Sequence, residues 1–326
     1  MAITSNCTAS IIKDAALALK EGHLVAFPTE TVYGLGADAT NEKAVARIYE
    51  VKGRPKDHPL IVHISSMELL NKWASEIPDY ALKLARAFWP GPMTLVLKRT
   101  ELAKDFITGG QDTVAIRVPA HALAGQLLQE FESLGGNGIA APSANRFGKV
   151  SPTTADAVTV ELNKFLSKND QILEGGDSEI GLESSIIDCT KVGPRILRPG
   201  FITSEMIEPL LEVELIHIHS IRNDIKVPGL LDSHYSPNTR VIINGIPKTG
   251  DGFVALSSIP TPKGAVRIAS PENNSEFARI LYKSFRIADS LSINNLIVIP
   301  PKLSGVGVAI NDRLIKAQFK ENIQRE

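Results

Sequence analysis

The sequence predicts a mixed α/β protein built as two folded bodies joined by a linker. Short β-prone runs alternate with stretches of helical period along most of the chain. At 326 residues the chain exceeds one typical domain of roughly 100–200 residues. The periodicity lapses between Leu211 and Asn238 and then resumes. The expected division is residues 1–210, a linker over 211–238, and a small α/β body over 239–326.

Taken in order, Ile11, Ile12, Ala15, Ala16 and Leu19 recur at helical spacing, with Gly22 as the stop. LVAFPTETVYGLG is a strand-like run broken by Pro28 and ending in Gly34 and Gly36. NEKAVARIYEVKGR reads as a helix opened by Asn41, and PLIVHIS as a short buried strand. TLVLK, TVAIRVP and GIAAPSAN predict further strands, alternating with the helical YALKLARAF and HALAGQLLQEFE. SSIIDCT and RILRPG close the first body as strands, and the short spacings do not enforce a regular βαβ repeat. IHIHSIRNDIKVPGLLDSHYSPN, with two internal prolines and no sustained period, reads as the linker. RVIING, GFVALS, AVRIAS and NLIVIPP then predict strands, and NSEFARILYKSFRIADSL and GVGVAINDRLIKAQ helices.

Composition narrows the function classes. Hydrophobic residues at 43% and charged residues at 22% match an ordinary globular core. The formal net charge of −1 gives no global basic field, so any attraction for nucleotides or RNA must be local. The two cysteines, Cys7 and Cys189, lie far apart, which disfavours a zinc site or a disulfide framework and fits a reducing cytosol. The N-terminus has no basic region followed by an apolar one, and no run approaches the ~18 apolar residues of a membrane span. The sequon at Asn6-Cys7-Thr8 is therefore given no weight.

Four segments carry polar residues that folding alone explains poorly. Pro28 to Gly36 places two threonines and Glu30 between a strand and a glycine turn, a position suited to binding. Locally bonded threonines in an ordinary turn read equally well. Lys52, Arg54, Lys56 and His58 set four potential cations in seven positions, which suits a polyphosphate, while a solvated basic loop is the bland alternative. His63 lies in an apolar run, where a structural histidine is the default. Ser143 and Asn145, spaced i, i+2, face one way if the chain is extended and could bind phosphate or ribose. Gly181 to Ser185 and the arginines Arg195 and Arg198 complete the set. There is no P-loop, full GxGxxG, HExxH or GxSxG, and Gly34-Leu35-Gly36 and Gly305-Val306-Gly307 are only half-fingerprints.

Together the ordered blocks PTETVYGLG, KGRP with PLIVHI, TVAIRVP, APSAN, GLESSIID and RILRPG resemble the YrdC-like domain of the Sua5/YrdC family, over roughly residues 10–205. HYSP, ARILYKSFRIAD and AINDRL resemble the additional Sua5 domain of its longer members. The resemblance implies a twisted open mixed sheet around a concave, positively lined cavity, plus a Rossmann-like C-terminal domain. It implies synthesis of threonylcarbamoyl-AMP and pyrophosphate from L-threonine, bicarbonate and ATP with Mg²⁺, in the cytoplasm, for the t6A modification of tRNA position 37. The family's KxR and SxN tetrad corresponds to Lys52, Arg54, Ser143 and Asn145, expected as catalytic. L-threonine contacts carry over to Thr31, His63, Arg117, Ala141 and Ser184. ATP contacts carry over to Arg54, His58, Thr113, Ser143, Ser151, Arg198 and, from the linker, Tyr235. Val227 stands where SPG-type linkers have serine, and HYSP replaces HYAP, so the linker contact departs from the family pattern. Arg117, as a buried cation, needs an anion, which the threonine carboxylate would supply. The product is expected to pass to a tRNA threonylcarbamoyl transferase complex, with weak RNA binding as a further expectation and no membrane partner. A non-catalytic RNA-binding protein is the alternative reading. Carbamoyl transfer of the hydrogenase-maturation type is set aside, because its zinc-finger cysteines and acylphosphatase-like region are missing from the sequence.

Overall fold

The computed structural model describes residues 3–4, 9–216, 225–229 and 235–318. Cys7, the Asn6 sequon and linker positions 217–224 and 230–234 lie outside the described residues.

Eleven strands form one mixed sheet: β1 (Ile3–Thr4), β2 (Val25–Phe27), β3 (Gly34–Asp38), β4 (Ile61–His63), β5 (Ala74–Ser75), β6 (Met93–Arg99), β7 (Thr113–Arg117), β8 (Ile139–Ala140), β9 (Gln171–Leu173), β10 (Ser185–Asp188) and β11 (Arg195–Arg198). Their spatial order is β1-β9-β2-β3-β8-β4-β7-β6-β10-β11, with β5 paired to β6. Parallel pairs such as β4–β7 and β6–β10 sit among antiparallel ones such as β2–β3, β4–β8 and β6–β7. The longer helices of this body are α1 (Ala9–Lys20), α2 (Glu42–Lys52), α3 (Asp79–Phe88), α4 (Ala122–Ser133) and α5 (Ala155–Leu162).

Local chemistry sets the element ends that matter for the site. Asn41 caps α2 by accepting from Ala44 N, and Gly53 ends it in the left-handed conformation, which turns the chain sharply into Arg54. Gly36 permits a close approach: a Cβ there would lie 2.8 Å from Ile139 and 2.9 Å from Phe27. The Gly34-Leu35-Gly36 half-fingerprint is thus strand packing. β9 and α5 were not anticipated; Gln171–Leu173 is too short to show a period, and α5 is announced only by its cap, Thr154.

The second body is a four-stranded parallel sheet, β12 (Arg240–Ile243), β13 (Gly252–Val254), β14 (Val266–Ala269) and β15 (Asn295–Val298), in the order β12-β15-β13-β14. Its two helices are α6 (Asn274–Ser290), capped by Asn273, and α7 (Gly307–Gln318). Its core is continuous with the first body, because Val32, Val150 and Leu182 share one cluster with Tyr235, Phe277, Tyr282 and Leu314. The second body therefore roofs the loops that carry the polar motifs.

Gly181 marks how close that roof lies. Its φ is +78°, and a Cβ would meet the backbone of Arg279 in α6 at 2.5 Å. Gly181→Ala is expected to lower stability by about 1–2 kcal/mol for the left-handed backbone alone, and more for the displaced helix. Thermal denaturation checks this; an unchanged midpoint would mean that the two bodies are not in contact there.

A candidate active site between the two bodies

Strand register assembles one wall. β4 and β7 run parallel with His63 opposite Arg117, so both side chains leave the sheet at the same level. β8 pairs beside β4 and delivers Ala141, whose N–H is committed to Ile61 O at 2.9 Å. The segment after Pro28 meets Arg117 through Glu30 and Thr31, and Ser184, just before β10, and Arg198 of β11 join the same lining. These residues line one cavity that, counted out to its open mouth, holds about 540 Å³ of empty space.

The threonine side holds a chain of hydroxyls and one ion pair. Thr29 Oγ1 donates to Val32 O at 2.6 Å, so Thr31 Oγ1 donates to Thr29 across 2.8 Å and accepts from Arg117 Nη1 at 2.9 Å. Arg117 Nη2 donates to Glu30 Oε1 at 2.7 Å, and Nε to Gly91 O at 3.2 Å. The anion that a buried Arg117 requires is therefore Glu30. This corrects the sequence argument that a substrate carboxylate must fill that need. Of the five guanidinium N–H groups, three have partners among the described residues, and two remain for a ligand.

His63 is buried with Nδ1 lacking a partner among the described residues. Burial first, and the Arg117 charge second, push its pKa down to about 3. The ring is neutral at working pH and offers a lone pair or an N–H inside the cavity. Because the unfolded histidine binds its proton near 6.5 and the folded one does not, stability is expected to fall as pH drops from about 6.5 toward 3. His63→Gln should flatten that part of the stability-versus-pH curve; an unaltered slope would mean that the titration belongs elsewhere.

The opposite wall is cationic. Arg54 is buried, donates to Pro59 O at 3.0 Å, lies 5.7 Å from the Phe147 ring, and keeps Nε unpartnered among the described residues. Burial, with Arg198 adding like charge, pushes its pKa down to about 10 while leaving it charged. Arg198 is also buried. It donates to Ser184 O from Nε at 3.1 Å and Nη2 at 2.9 Å, and to Pro228 O from Nη1 at 3.0 Å. Ser184 Oγ lies 2.7 Å from Thr94 Oγ1 and 3.1 Å from Arg198 Nη2. Two buried arginines facing one cavity need an anion to offset them, and a polyphosphate supplies several.

The cavity is lined by Thr31, His63, Arg117, Ala141, Ser184, Arg54, Ser143, Arg198 and Tyr235 of the expected residues. Lys52, Asn145, His58, Thr113 and Ser151 are outside that lining. Lys52 is fully enclosed and its Nζ donates to Ser143 O and Asn145 O, holding the turn behind the site. Burial and the neighbouring Arg54 lower its pKa well below the ordinary lysine value. Asn145 Nδ2 donates to Arg146 O and Lys149 O, at 2.7 and 2.8 Å. Ser151 Oγ donates to Glu183 Oε1 at 2.5 Å. His58 packs edge-on against Phe147 at 5.5 Å, and Thr113 starts β7 opposite Lys98.

Several lining groups have no role in the sequence assignment: Thr29, Glu183, Pro228 and Gly229. Glu183 was visible as the carboxylate of GLESS, but its partners come from far along the chain. Pro228 and Gly229 belong to the linker. Ile225 and Val227 pin that strap by burying against Ile61, Val96, Ala115, Ile186 and Leu197. Val227 in place of a serine is thus a core contact, two residues from Ile225 on an extended chain.

The Sua5/YciO/YrdC family, which carries the description "Telomere recombination", matches residues 17–200, more than half of the chain. The chain belongs to the Sua5/YrdC family. A second family, the C-terminal domain of threonylcarbamoyl-AMP synthase, matches residues 202–318, so this is a long member with a YrdC domain and a Sua5 domain. Threonylcarbamoyl-AMP synthase of Pyrococcus abyssi (strain GE5 / Orsay) is 41% identical over 324 residues, spanning 94% of this chain and 93% of its own. The protein of the same name from Bacillus subtilis (strain 168) is 38% identical over 331 residues, spanning 94% and 92%. The crystal structure of P. abyssi Sua5 complexed with L-threonine superposes with a TM-score of 0.86 at 38% identity, covering 97% of this chain and 96% of that one. The Sua5/YrdC architecture expected from the motifs, a large mixed sheet with a concave site and a smaller parallel-sheet domain, is the one observed. Among the described residues no helix is long and apolar enough to cross a membrane.

Proposed function

We propose that this Sua5/YrdC protein is a threonylcarbamoyl-AMP synthase serving t6A modification of tRNA position 37, acting in the cytoplasm. The observation that carries the reading is the pairing, in one cavity, of a polar corner at Thr31, His63 and Arg117 with two buried arginines, Arg54 and Arg198. The relatives bearing that activity cover the whole domain arrangement. In this reading residues 1–210 carry catalysis, 211–238 link, and 239–326 roof the site.

L-threonine would place its carboxylate on the two remaining N–H groups of Arg117 and a polar group near His63 Nδ1. Its amine, once neutral, attacks CO₂ from bicarbonate to give a carbamate, a labile species that the closed cavity shelters from water. A carbamate oxygen then forms a bond to the α-phosphorus of ATP while the bond to the bridging oxygen of the β-phosphate breaks. Pyrophosphate leaves with the electron pair. No side chain forms a covalent bond. Arg54, Arg198 and Ser143 would position the phosphates, and Lys52 acts one step back by fixing the Ser143–Asn145 turn.

Among the described residues no group of three or more His, Cys, Asp or Glu side chains could hold a metal ion. Glu183, the carboxylate of the lining, has both oxygens occupied by donors. Mg²⁺ enters the reading as the counterion that ATP brings. Bicarbonate, ATP and L-threonine are the substrates, and a tRNA threonylcarbamoyl transferase complex is the recipient of the product.

The test is mass spectrometry of a reaction with ¹³C-bicarbonate: a labelled adduct joining threonine, one carboxyl carbon and AMP is the expected product. Its absence, with salt-sensitive RNA binding intact, would favour the RNA-binding alternative. A corner built to bond the substrate hydroxyl should also reject valine by about 10⁴-fold or more and serine by only about 10–200-fold. Equal turnover of valine and threonine would contradict the assignment of that corner.

A further inference from the structure

The AINDRL segment of α7, Ala309 to Leu314, stands far from the site in sequence and has no role in the reaction described above. In space one turn of this helix touches three lining residues. Arg313 Nε donates to Glu183 Oε2 at 2.9 Å. Its guanidinium lies 5.2 Å from the centroid of the Tyr235 ring. Lys316, on the same face, donates from Nζ to Gly229 O at 2.8 Å, and Asp312 Oδ2 accepts from Arg313 Nη1 at 2.5 Å and from Lys316 at 3.0 Å. Tyr282 of α6 completes the ring: its hydroxyl lies 2.9 Å from Glu183 Oε2, and its ring stacks on Tyr235 at 5.7 Å and 26°.

We infer that Arg313 is a positioning residue of the active site, reaching from the second body to fix the Glu183 carboxylate and to carry the ring of Tyr235. This rests on the reading of the cavity as a nucleotide and threonine site. Two observations favour it over plain packing. Arg313 and Tyr282 are wholly buried, and a buried ion pair is usually no more stabilising than apolar residues of the same size, so stability alone does not call for the charge. Among the described residues its hydrogen bonds and cation–π contact run to the lining residues Glu183 and Tyr235 and to Asp312, which also accepts from the lysine that holds Gly229. The second body is thus part of the site, completing its nucleotide side.

The groups facing Glu183 are Arg313 with Asp312 and Lys316 from α7, Tyr282 from α6, Arg198 from β11, Ser151, and Tyr235 of the linker. Burial raises the Glu183 pKa, but Arg313, Arg198 and the Ser151 hydroxyl outweigh it and hold the carboxyl at about 2. Without the Arg313 charge the burial effect gains ground, and the carboxyl moves toward the working range. Protonated Glu183 accepts less well from its two remaining donors, Ser151 and Tyr282. Relative to the wild type, whose rate already follows the neutral fraction of the threonine amine, activity of Arg313→Met is then expected to fall further as pH drops from about 7 to 5.5, an added acid limb.

The experiment is steady-state pyrophosphate release by full-length wild type, Arg313→Met, Arg313→Lys, Glu183→Gln and Tyr282→Phe across pH 5.5–8. Arg313→Met should raise KM for ATP at least about tenfold and KM for threonine less than about threefold, with the new acid limb. Arg313→Lys should remove the added acid limb while keeping part of the KM defect, and Glu183→Gln should be impaired with a pH profile parallel to the wild type. Tyr282→Phe deletes one hydroxyl and decides the matter if Arg313→Met does not fold: a three- to tenfold rise in KM for ATP supports the inference. Wild-type KM and a pH profile parallel to the wild type in Arg313→Met, or an unchanged Tyr282→Phe in its place, overturns it. Should the wild type release no pyrophosphate, the functional reading fails, and amide exchange over residues 225–229 of the ligand-free protein still tests the positioning. Faster exchange in Arg313→Met, or in Tyr282→Phe, upholds it, and equal exchange overturns it.

Discussion

Arg54→Ala is expected to lower kcat for pyrophosphate release by about 10²–10³, equivalent to ~2.7–4 kcal/mol of lost charge stabilisation, with little cost to folding. The two halves of that expectation have separate causes. The guanidinium is buried in the cavity wall with Nε unpartnered, and the carboxylate that acts on it, exposed Asp57, is itself 2.7 Å from Lys226. Such a cation is held for a ligand. Alanine removes an uncompensated charge, which offsets the lost bond to Pro59 O and the contact with Phe147. A thermal midpoint that stays level or rises, together with the kinetic loss, is the predicted pair of results. A large fall in the midpoint would make Arg54 a structural residue.

Arg117→Met is expected to do both kinds of damage. Removing this cation leaves Glu30 buried with Oε1 unpaired, and Thr31 Oγ1 and Gly91 O lose their donor. Breaking a buried pair in this way costs about 3–5 kcal/mol. The double variant Glu30→Gln with Arg117→Met should recover much of that stability, because no unpaired charge remains, yet it should still fail to bind L-threonine. Calorimetric titration of threonine into the double variant makes the distinction. Recovered stability with recovered binding would show that Arg117 serves Glu30 alone.

Most of this architecture was legible in the sequence, and the exceptions have physical causes. Periodicity and turn chemistry locate elements such as α2, where Asn41 and Gly53 announce both ends. They also place the polar motifs at strand ends, where the cavity forms. Register across strands is less visible: that His63 faces Arg117 follows from β4 pairing with β7, which no local pattern encodes. The direction of a side chain within a motif is also hidden. Lys52 and Arg54 are two residues apart, yet one ties down backbone carbonyls and the other faces the ligand space. Contacts between bodies were the least visible. Glu183 and Arg313 are 130 positions apart, and neither segment carries a local sign of its partner. The need was stated for Arg117, whose anion turned out to be Glu30, and the same reasoning applied to Glu183 would have asked for a cation.

The arrangement also gives the second body a physical reason to accompany the first. Gly181 lies under α6 without room for a Cβ, Glu183 is held from α6 and α7, and Lys316 secures the linker at Gly229. A site closed this way can keep water from a carbamate while its ATP is in place.

The measurement that bears most directly on the central claim is pyrophosphate release by the purified full-length protein with ATP and Mg²⁺, comparing reactions with and without L-threonine and bicarbonate. Release that requires both, and that Arg54→Ala lowers by about 10²–10³, is the predicted result. Release that ignores threonine or bicarbonate, or none above background, would contradict the account of this cavity as a threonylcarbamoyl-AMP synthase site.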